Sequence, residues 1–526
     1  MSHITVTISE LTSEGTGLGF LNGKKVFVPG TFPGETVTLE PVIDKPGYTS
    51  GKLLSVQERS PDRIPDFCQV KCGGCSFTAL SYKAELRFKS AYLLNLFKDL
   101  PGFSEEKYCG ITGMPNPFRY RNKAVYVAGW DNFASGEPEL QNRKAGDEWN
   151  DRKPGYESGE RKEGHDSKKA GDKSKKEQAE NKGRDNNGHG RFMLGLYERD
   201  SHKIIAIPDC LLEPFWMNRV RNGLRDLINE TIYGGNSLGG DPREMKTFSE
   251  NLRYLFLRGA PDGEKSGEAD AAFRRCAVLV LRTGNDAAMC SASVPEAVLS
   301  LLEKSGIANI AVNFNNDPGN RIFGESFQAV RGGLYAEMPL LGRVFRVRPE
   351  SFFQINGEIT GLLYDKAIEL LDPAPDAIIA DLYSGIGTIS FRLADRAGET
   401  FGIEVVPEAV RDAERNSEIF GISNARFYAG RVEDVLPDLV KGGVRFDGVI
   451  LDPARKGLEE SVADTLAVLR VPRIVYISCN PKTQKRDMAW FIKRGYQLEC
   501  LYAFDMFPHT CHVETVVLLS RGKQNG

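Results

Sequence analysis

No run of about 18 apolar residues occurs in this chain, so nothing in it reads as a membrane span. The opening MSHITVTISE has neither the basic nor the apolar stretch of a secretory leader. Cysteine is sparse: ten residues in 526 cannot staple a fold of this length. The thiols are scattered apart from one trio, a usage that fits a reducing compartment. Neither sign of charge dominates. Lys and Arg number 68 and Asp and Glu 71, a net charge of −3, which neither demands nor excludes a nucleic-acid partner. What remains is a soluble, cytoplasmic protein with no membrane partner, expected to act as a monomer.

At roughly 150 residues per domain, the length suggests about three domains. Residues 1–60 read as short strands broken by glycine turns, with β-branched alternation in KKVFVP and ETVTLEP. A small antiparallel, OB-like β-barrel is expected there, because closure leaves few open strand edges. Barrels of this size often bind oligonucleotides. Residues 61–345 mix strands (CAVLVLRT, NIAVNF) with helices (NRVRNGLRDLINET), an α+β pattern. An insert over 131–190, containing GERKEGHDSKKAGDKSKKEQAENKGRDNNGHG, is almost wholly charged or small. It cannot bury enough apolar surface to offset its ordering entropy, and a disordered loop is expected. Over 346–526 short apolar strands alternate with helices: DAIIADLYSGIG, ETFGIEV, FDGVILDPA, PRIVYISCNP. That grammar means a doubly wound, mostly parallel sheet of the Rossmann-like kind, whose ligands bind at the carboxyl ends of the strands.

The motifs of this region stand at such ends. DLYSGIG places Gly385 and Gly387 in a turn where backbone can approach a ligand. About 20 residues on, GIE places Glu404 where an acidic residue grips ribose hydroxyls. The third glycine of a dinucleotide fingerprint is replaced by Ser390, which favours S-adenosylmethionine over a dinucleotide. LDPARKG places Asp452 beside the reacting end of such a cofactor; a helix N-cap is its other reading. YISCNP ends the fifth strand at Cys479, which by position alone could equally be a small buried hydrophobe. MFPHTCHVETVVLL then brings Glu514 to the start of a last strand, so that a thiol and a carboxylate flank one pocket. Such a pair can alkylate C5 of uracil. A thiolate adding to C6 turns the ring into an enolate nucleophilic at C5, and a carboxylate then removes the C5 hydrogen so that the thiolate can leave. The base must be flipped or single-stranded to be reached.

In this order, GLGFLNGKKVFVPGTFPGETVTLE, PFRYRNKA, RPESFFQIN, DLYSGIGTIS, LDPARKG, SCNP and FPHTCHVET resemble the RNA uracil-C5 methyltransferase family, over nearly the whole chain. Within it they resemble the 23S rRNA branch with an N-terminal TRAM barrel and a C-terminal class I methyltransferase domain. The resemblance implies methylation of uracil C5 in 23S rRNA, with Cys479 as nucleophile and Glu514 as base. It implies that Gln354, Tyr383, Glu404 and Asp452 contact S-adenosylmethionine. Arg119 and Arg121 are candidates for RNA phosphates. A tRNA target, or a non-catalytic RNA-binding factor, are the alternatives.

The cysteine trio lies in FCQVKCGGCSF as Cys68, Cys72 and Cys75, spaced C-x3-C-x2-C. The resemblance implies a 4Fe–4S cluster held by these three and Cys210, with an interval from Cys68 to Cys72 shorter than is common in that branch. Four thiolates would leave no open iron for radical chemistry, so a structural or RNA-positioning cluster is expected. A four-cysteine zinc site is the other physical reading.

Overall fold

The computed structural model describes residues 3–131, 190–199, 201–234, 240–261, 274–282 and 294–521. The insert expected to be disordered, 131–190, lies almost entirely outside the described residues.

Five strands form the N-terminal barrel: β1 (Ile4–Leu11), β2 (Gly17–Leu21), β3 (Lys24–Val28), β4 (Thr36–Lys45) and β5 (Tyr48–Glu58), closed in the order β1-β2-β3-β5-β4. Alternation points Val6, Ile8, Val26, Val28, Val37 and Leu39 inward. β2 turns into β3 through Asn22-Gly23, both at positive φ, the two-residue hairpin that matches strand twist. The barrel is not wholly antiparallel as expected: β3 pairs with β5 in parallel. The β4–β5 hairpin is the longer, and its returning strand runs alongside β3, whose direction it shares.

A short strand, β6 (Tyr108–Thr112), precedes the central sheet of β7 (Lys123–Trp130), β8 (Phe192–Tyr197), β9 (Ile204–Ile205), β10 (Leu252–Arg258), β11 (Arg275–Leu281), β12 (Ile307–Phe314) and β13 (Phe327–Arg331). Their order is β13-β12-β11-β10-β7-β8-β9. Helices Phe215–Tyr233, Pro242–Asn251 and Glu296–Lys304 cover one face through Trp216, Val220, Leu224, Met245, Phe248 and Leu302. The other face, with Phe256, Val278 and Val280, shares a core with the C-terminal region.

After a hairpin of β14 (Ala336–Leu340) and β15 (Arg343–Val347) come β16 (Ile378–Leu382), β17 (Glu399–Glu404), β18 (Ala425–Ala429), β19 (Gly448–Leu451), β20 (Arg473–Ser478), β21 (Tyr496–Phe504) and β22 (Glu514–Arg521). The sheet order is β18-β17-β16-β19-β20-β22-β21-β6. Strands β16 to β20 are parallel, and β22 enters antiparallel between β20 and β21. The order reverses between β16 and β19, which opens a crevice at their carboxyl ends.

One boundary differs from the expectation that 61–345 is a unit. β6 pairs in parallel with β21, Leu501 beside Tyr108. The helix Tyr82–Phe97 buries Leu93 and Phe97 in the same core as Tyr476, Met488 and Leu501. Residues 82–112 therefore belong to the C-terminal sheet, which would otherwise end on an unpaired β21 edge. No helix among the described residues is long and apolar enough to cross a membrane.

Candidate active site

The first crevice wall is the turn after β16. Tyr383 stands at φ 70°, left-handed backbone that a non-glycine residue adopts at a cost. It is held there because its N–H and that of Ser384 both donate to the Ile403 carbonyl, at 2.9 and 3.0 Å. Gly387 follows at φ 81°, where a Cβ would meet the Phe427 ring at 2.8 Å. Glu404 ends β17, next to this turn. Its carboxylate accepts the N–H of Gly385 at 3.0 Å and of Val406 at 2.8 Å. Gln354 is buried, and its backbone carbonyl accepts Asn122 Nδ2 at 2.7 Å. Phe352, two residues earlier, is 65% exposed.

The opposite wall is made by β19, β20 and β22. Asp452 directly follows β19 and donates its N–H to the Leu382 carbonyl at 3.3 Å, tying the ends of β16 and β19 together. Cys479 directly follows β20. Ser478 is the register partner of Thr515 on β22, so one step further along the antiparallel pair Cys479 stands opposite Glu514. Thr515 Oγ1 bonds both the Ser478 carbonyl, at 3.2 Å, and Gln484, which fixes that register. Asn480 caps the helix Pro481–Lys493 through the Lys482 N–H and donates to the Arg455 carbonyl at 2.9 Å. The thiol is half-buried just before a helix N-terminus, where the backbone dipole favours negative charge.

The acids around the crevice are raised toward neutral pH by their surroundings. Burial pushes Asp381 up to about 7, although Ser390 Oγ donates to it at 2.5 Å. Burial, then the Asp381 charge, pushes Asp452 up to about 7. Burial, then the Asp452 charge, pushes Glu514 up to about 8. Burial, then the charges of Glu514 and Asp452, pushes the Cys479 thiol up to about 11. Arg455 opposes the rise at both Cys479 and Glu514. Sequence reasoning missed this residue. Its signal was the first of two adjacent cations, Arg455 and Lys456, three positions after Asp452.

Cys68, Cys72, Cys75 and Cys210 form a second, separate group. All are half-buried, and Cys75 feels the charges of Cys210, Cys72 and Cys68. Burial first, then Cys210, pushes the Cys75 thiol up to about 12, with the Arg121 guanidinium opposing. The loop is held by Arg199, whose guanidinium donates to the Cys75 carbonyl at 3.1 Å. Among the described residues no three His, Cys, Asp or Glu side chains are placed to hold a single metal ion.

Arg119 does not face solvent as a phosphate ligand would. Its guanidinium is bidentate to Asp209 at 2.6 and 2.7 Å, bonds the carbonyls of Cys210 and Glu213, and lies over the Phe215 ring. Arg121 is turned toward Tyr120, Cys210 and Glu213. Lys123, the third cation of FRYRNK, lies across the strand pair from Arg258. Burial, then the like charges of Arg258 and Arg121, push it down to about 8, and no carboxylate among the described residues opposes.

A family profile described as tRNA (Uracil-5-)-methyltransferase matches residues 336–522, and a TRAM domain profile matches residues 2–54. An uncharacterized RNA methyltransferase of Staphylococcus aureus (strain MSSA476) is 31% identical, covering 98% of this chain and 97% of that protein. One from Halalkalibacterium halodurans is 29% identical, with coverage of 98% and 96%. Among solved structures, the Pyrococcus abyssi tRNA (uracil-54, C5)-methyltransferase in complex with S-adenosyl-L-homocysteine has the same fold. Its TM-score is 0.63 at 22% identity, over 98% of this chain and 100% of that one. This chain thus belongs to the RNA uracil-5-methyltransferase family and carries a TRAM domain.

Proposed function

We propose that this enzyme methylates C5 of a uracil in RNA from S-adenosylmethionine, through a covalent bond between Cys479 and C6 of the base. The observation that carries the reading is the placement of Cys479 opposite Glu514 across the β20–β22 pair, beside Asp452 at the sheet's reversal point. S-adenosylmethionine supplies an electrophilic methyl group on a sulfonium. The chain supplies the rest. Glu404 has lone pairs to spare for ribose hydroxyls after bonding Gly385 and Val406. Tyr383 and Gln354 line the same crevice, and Asp452 sets a carboxyl beside the sulfonium end. Cys479 adds to C6 as the thiolate, and the electron pair displaced to C5 takes the methyl group as its bond to sulfur breaks and S-adenosylhomocysteine leaves. Glu514 accepts the C5 proton, and the pair left behind expels the thiolate. The half-buried thiol requires the uracil to leave its stack, and exposed Phe352 offers a surface on which a neighbouring base can stack. Lys123 offers a charge for a phosphate.

In the same proposal Cys68, Cys72, Cys75 and Cys210 hold a 4Fe–4S cluster. Four thiols from two segments that feel one another's charge are a suitable donor set. No step of the methylation runs through it.

The RNA is 23S rRNA on this reading, from the barrel and thiol quartet together. A tRNA target is the second reading. The Pyrococcus structure, named for a tRNA uridine, covers 98% of this chain, so the barrel does not separate the two. Incubating the protein with unmodified 23S rRNA and with unmodified tRNA, then mapping methylated uridines by mass, decides between them. Methyluridine in neither RNA, or a 5-fluorouracil RNA that forms no adduct at Cys479, would end the proposal.

A further inference from the structure

Glu514 is the first residue of β22, and the loop before it, 505–513, decides where its carboxylate stands. That loop is held from outside the catalytic wall. Lys89, midway along the helix Tyr82–Phe97, is completely buried, and its ammonium donates to Asp505 Oδ1 and Glu85 Oε1, both at 2.6 Å. It also reaches the Phe507 carbonyl at 3.4 Å. Glu85 in turn accepts the His509 N–H at 2.8 Å. The neighbouring carbonyls are taken as well: Met506 by Asn356 Nδ2 at 3.2 Å and Pro508 by the Tyr120 hydroxyl at 3.2 Å.

His509 stands at φ 67°, and its carbonyl accepts the N–H groups of Ser76 at 2.8 Å and Phe77 at 3.2 Å, the two residues that follow Cys75. Its ring stacks on Phe118, centroids 4.7 Å apart, and meets Phe67 edge-on at the same separation. The cysteine segment therefore touches the base-bearing loop directly. A buried ammonium shared by two carboxylates is a poor source of stability, since apolar side chains of similar volume do as well or better. What it contributes is placement: the Lys89 ammonium ties the helix at Glu85 to the loop at Asp505 and Phe507.

We infer that Lys89, together with His509 and the Cys75–Phe77 backbone, forms a brace that positions Glu514 for proton abstraction. Lys89 and His509 are positioning residues; neither lies among the groups that flank Cys479. The inference rests on Glu514 being the base. On it, the cysteine loop serves the reaction by holding the carboxylate in place, with no electron passing between them.

The test uses the full-length protein, S-adenosylmethionine, and the RNA it methylates. A displacement of the base by about 1 Å can slow its step about 10²-fold. Lys89→Met is therefore expected to lower kcat about 10²-fold with KM for RNA within about threefold of wild type. Denaturing gels should show methylated RNA accumulating on Cys479, because attack and methyl transfer proceed while proton removal stalls. His509→Gly keeps the left-handed backbone and removes only the stacked ring. It should show the same accumulation with about a tenfold loss, and it decides the matter if Lys89→Met does not fold. A merely structural role would lower the amount of active enzyme without building up the adduct. Glu514→Gln, run in parallel, separates the two claims. If it accumulates adduct while both brace variants release product at the wild-type rate, the brace is wrong and the base assignment stands. If Glu514→Gln releases product freely, both fall.

Discussion

Binding of S-adenosylmethionine should expel protons from this site, and the number can be worked out. Asp452, at about 7, and Glu514, at about 8, are carboxyls raised by burial, then by the charge of Asp381 in the first case and of Asp452 in the second. At pH 7.5 roughly a quarter of Asp452 and roughly three-quarters of Glu514 carry a proton, so the pair holds about one between them. A sulfonium cation placed beside them favours both carboxylates and releases up to about that one proton. S-adenosylhomocysteine lacks only the methyl group and the positive charge on sulfur, so it should release much less. Calorimetric titrations in buffers of different ionisation enthalpy read the proton number from the slope of observed heat against buffer enthalpy. Glu514→Gln should reduce the release to about a quarter, and Asp452→Asn to less than about three-quarters, because it also removes a charge that raises Glu514. Equal slopes for the two ligands with wild-type protein would refute the reasoning, because the carboxyls would then not face the sulfonium.

Two further outcomes follow from the same structure. Asp381, Asp452 and Glu514 bind protons in the folded chain that the unfolded chain has already lost above about pH 5, so unliganded stability should fall between about pH 5 and pH 8, by up to about 1.4 kcal/mol per pH unit for each group while it titrates; denaturant melts should show this, and Asp381→Asn should flatten it. Lys123→Ala should weaken RNA binding and reduce the magnitude of the slope of log affinity against log salt by about 1, whereas an unchanged slope in a filter-binding series would remove Lys123 from the RNA surface.

The sheet and its strand-end residues were legible because each signal is local. The apolar runs around Ile379, Val449 and Val475 are strands buried on both faces, and Glu404, Asp452 and Cys479 lie at their carboxyl ends whatever the rest of the chain does. The opposition of Cys479 and Glu514 needed only that β22 run antiparallel to β20. What could not be read depends on contacts between distant segments. Tyr108 pairs beside Leu501, almost four hundred residues on, and no pattern in YCGIT says so. Arg119 looked like a free cation, yet Asp209 and two carbonyls ninety-odd residues away consume its donors. Nothing local in YKAELRFKSAYLLNLF marks Lys89, whose burial depends on Asp505, more than four hundred residues on.

The raised Cys479 thiol sits awkwardly with a nucleophile's task until its neighbour is considered. The same site is proposed to hold a sulfonium methyl donor, and a thiolate left free beside it would be alkylated and lost. A thiol pushed up to about 11 is ionised in about one molecule in ten thousand at pH 7, which suppresses that self-reaction before a uracil arrives. After burial, the largest cause of the rise is the Glu514 charge, so the base of the last step also shields the nucleophile of the first. Above about pH 8, where Glu514 ionises in the wild type, Glu514→Gln should lower the thiol's pKa and expose it. Incubated at pH 9 with S-adenosylmethionine and no RNA, that variant should gain one methyl group on the Cys479 peptide faster than wild type, as read by mass spectrometry. If both proteins are methylated there at the same rate, Glu514 does not govern the thiol, and the two groups are not the coupled pair that their cross-strand placement implies.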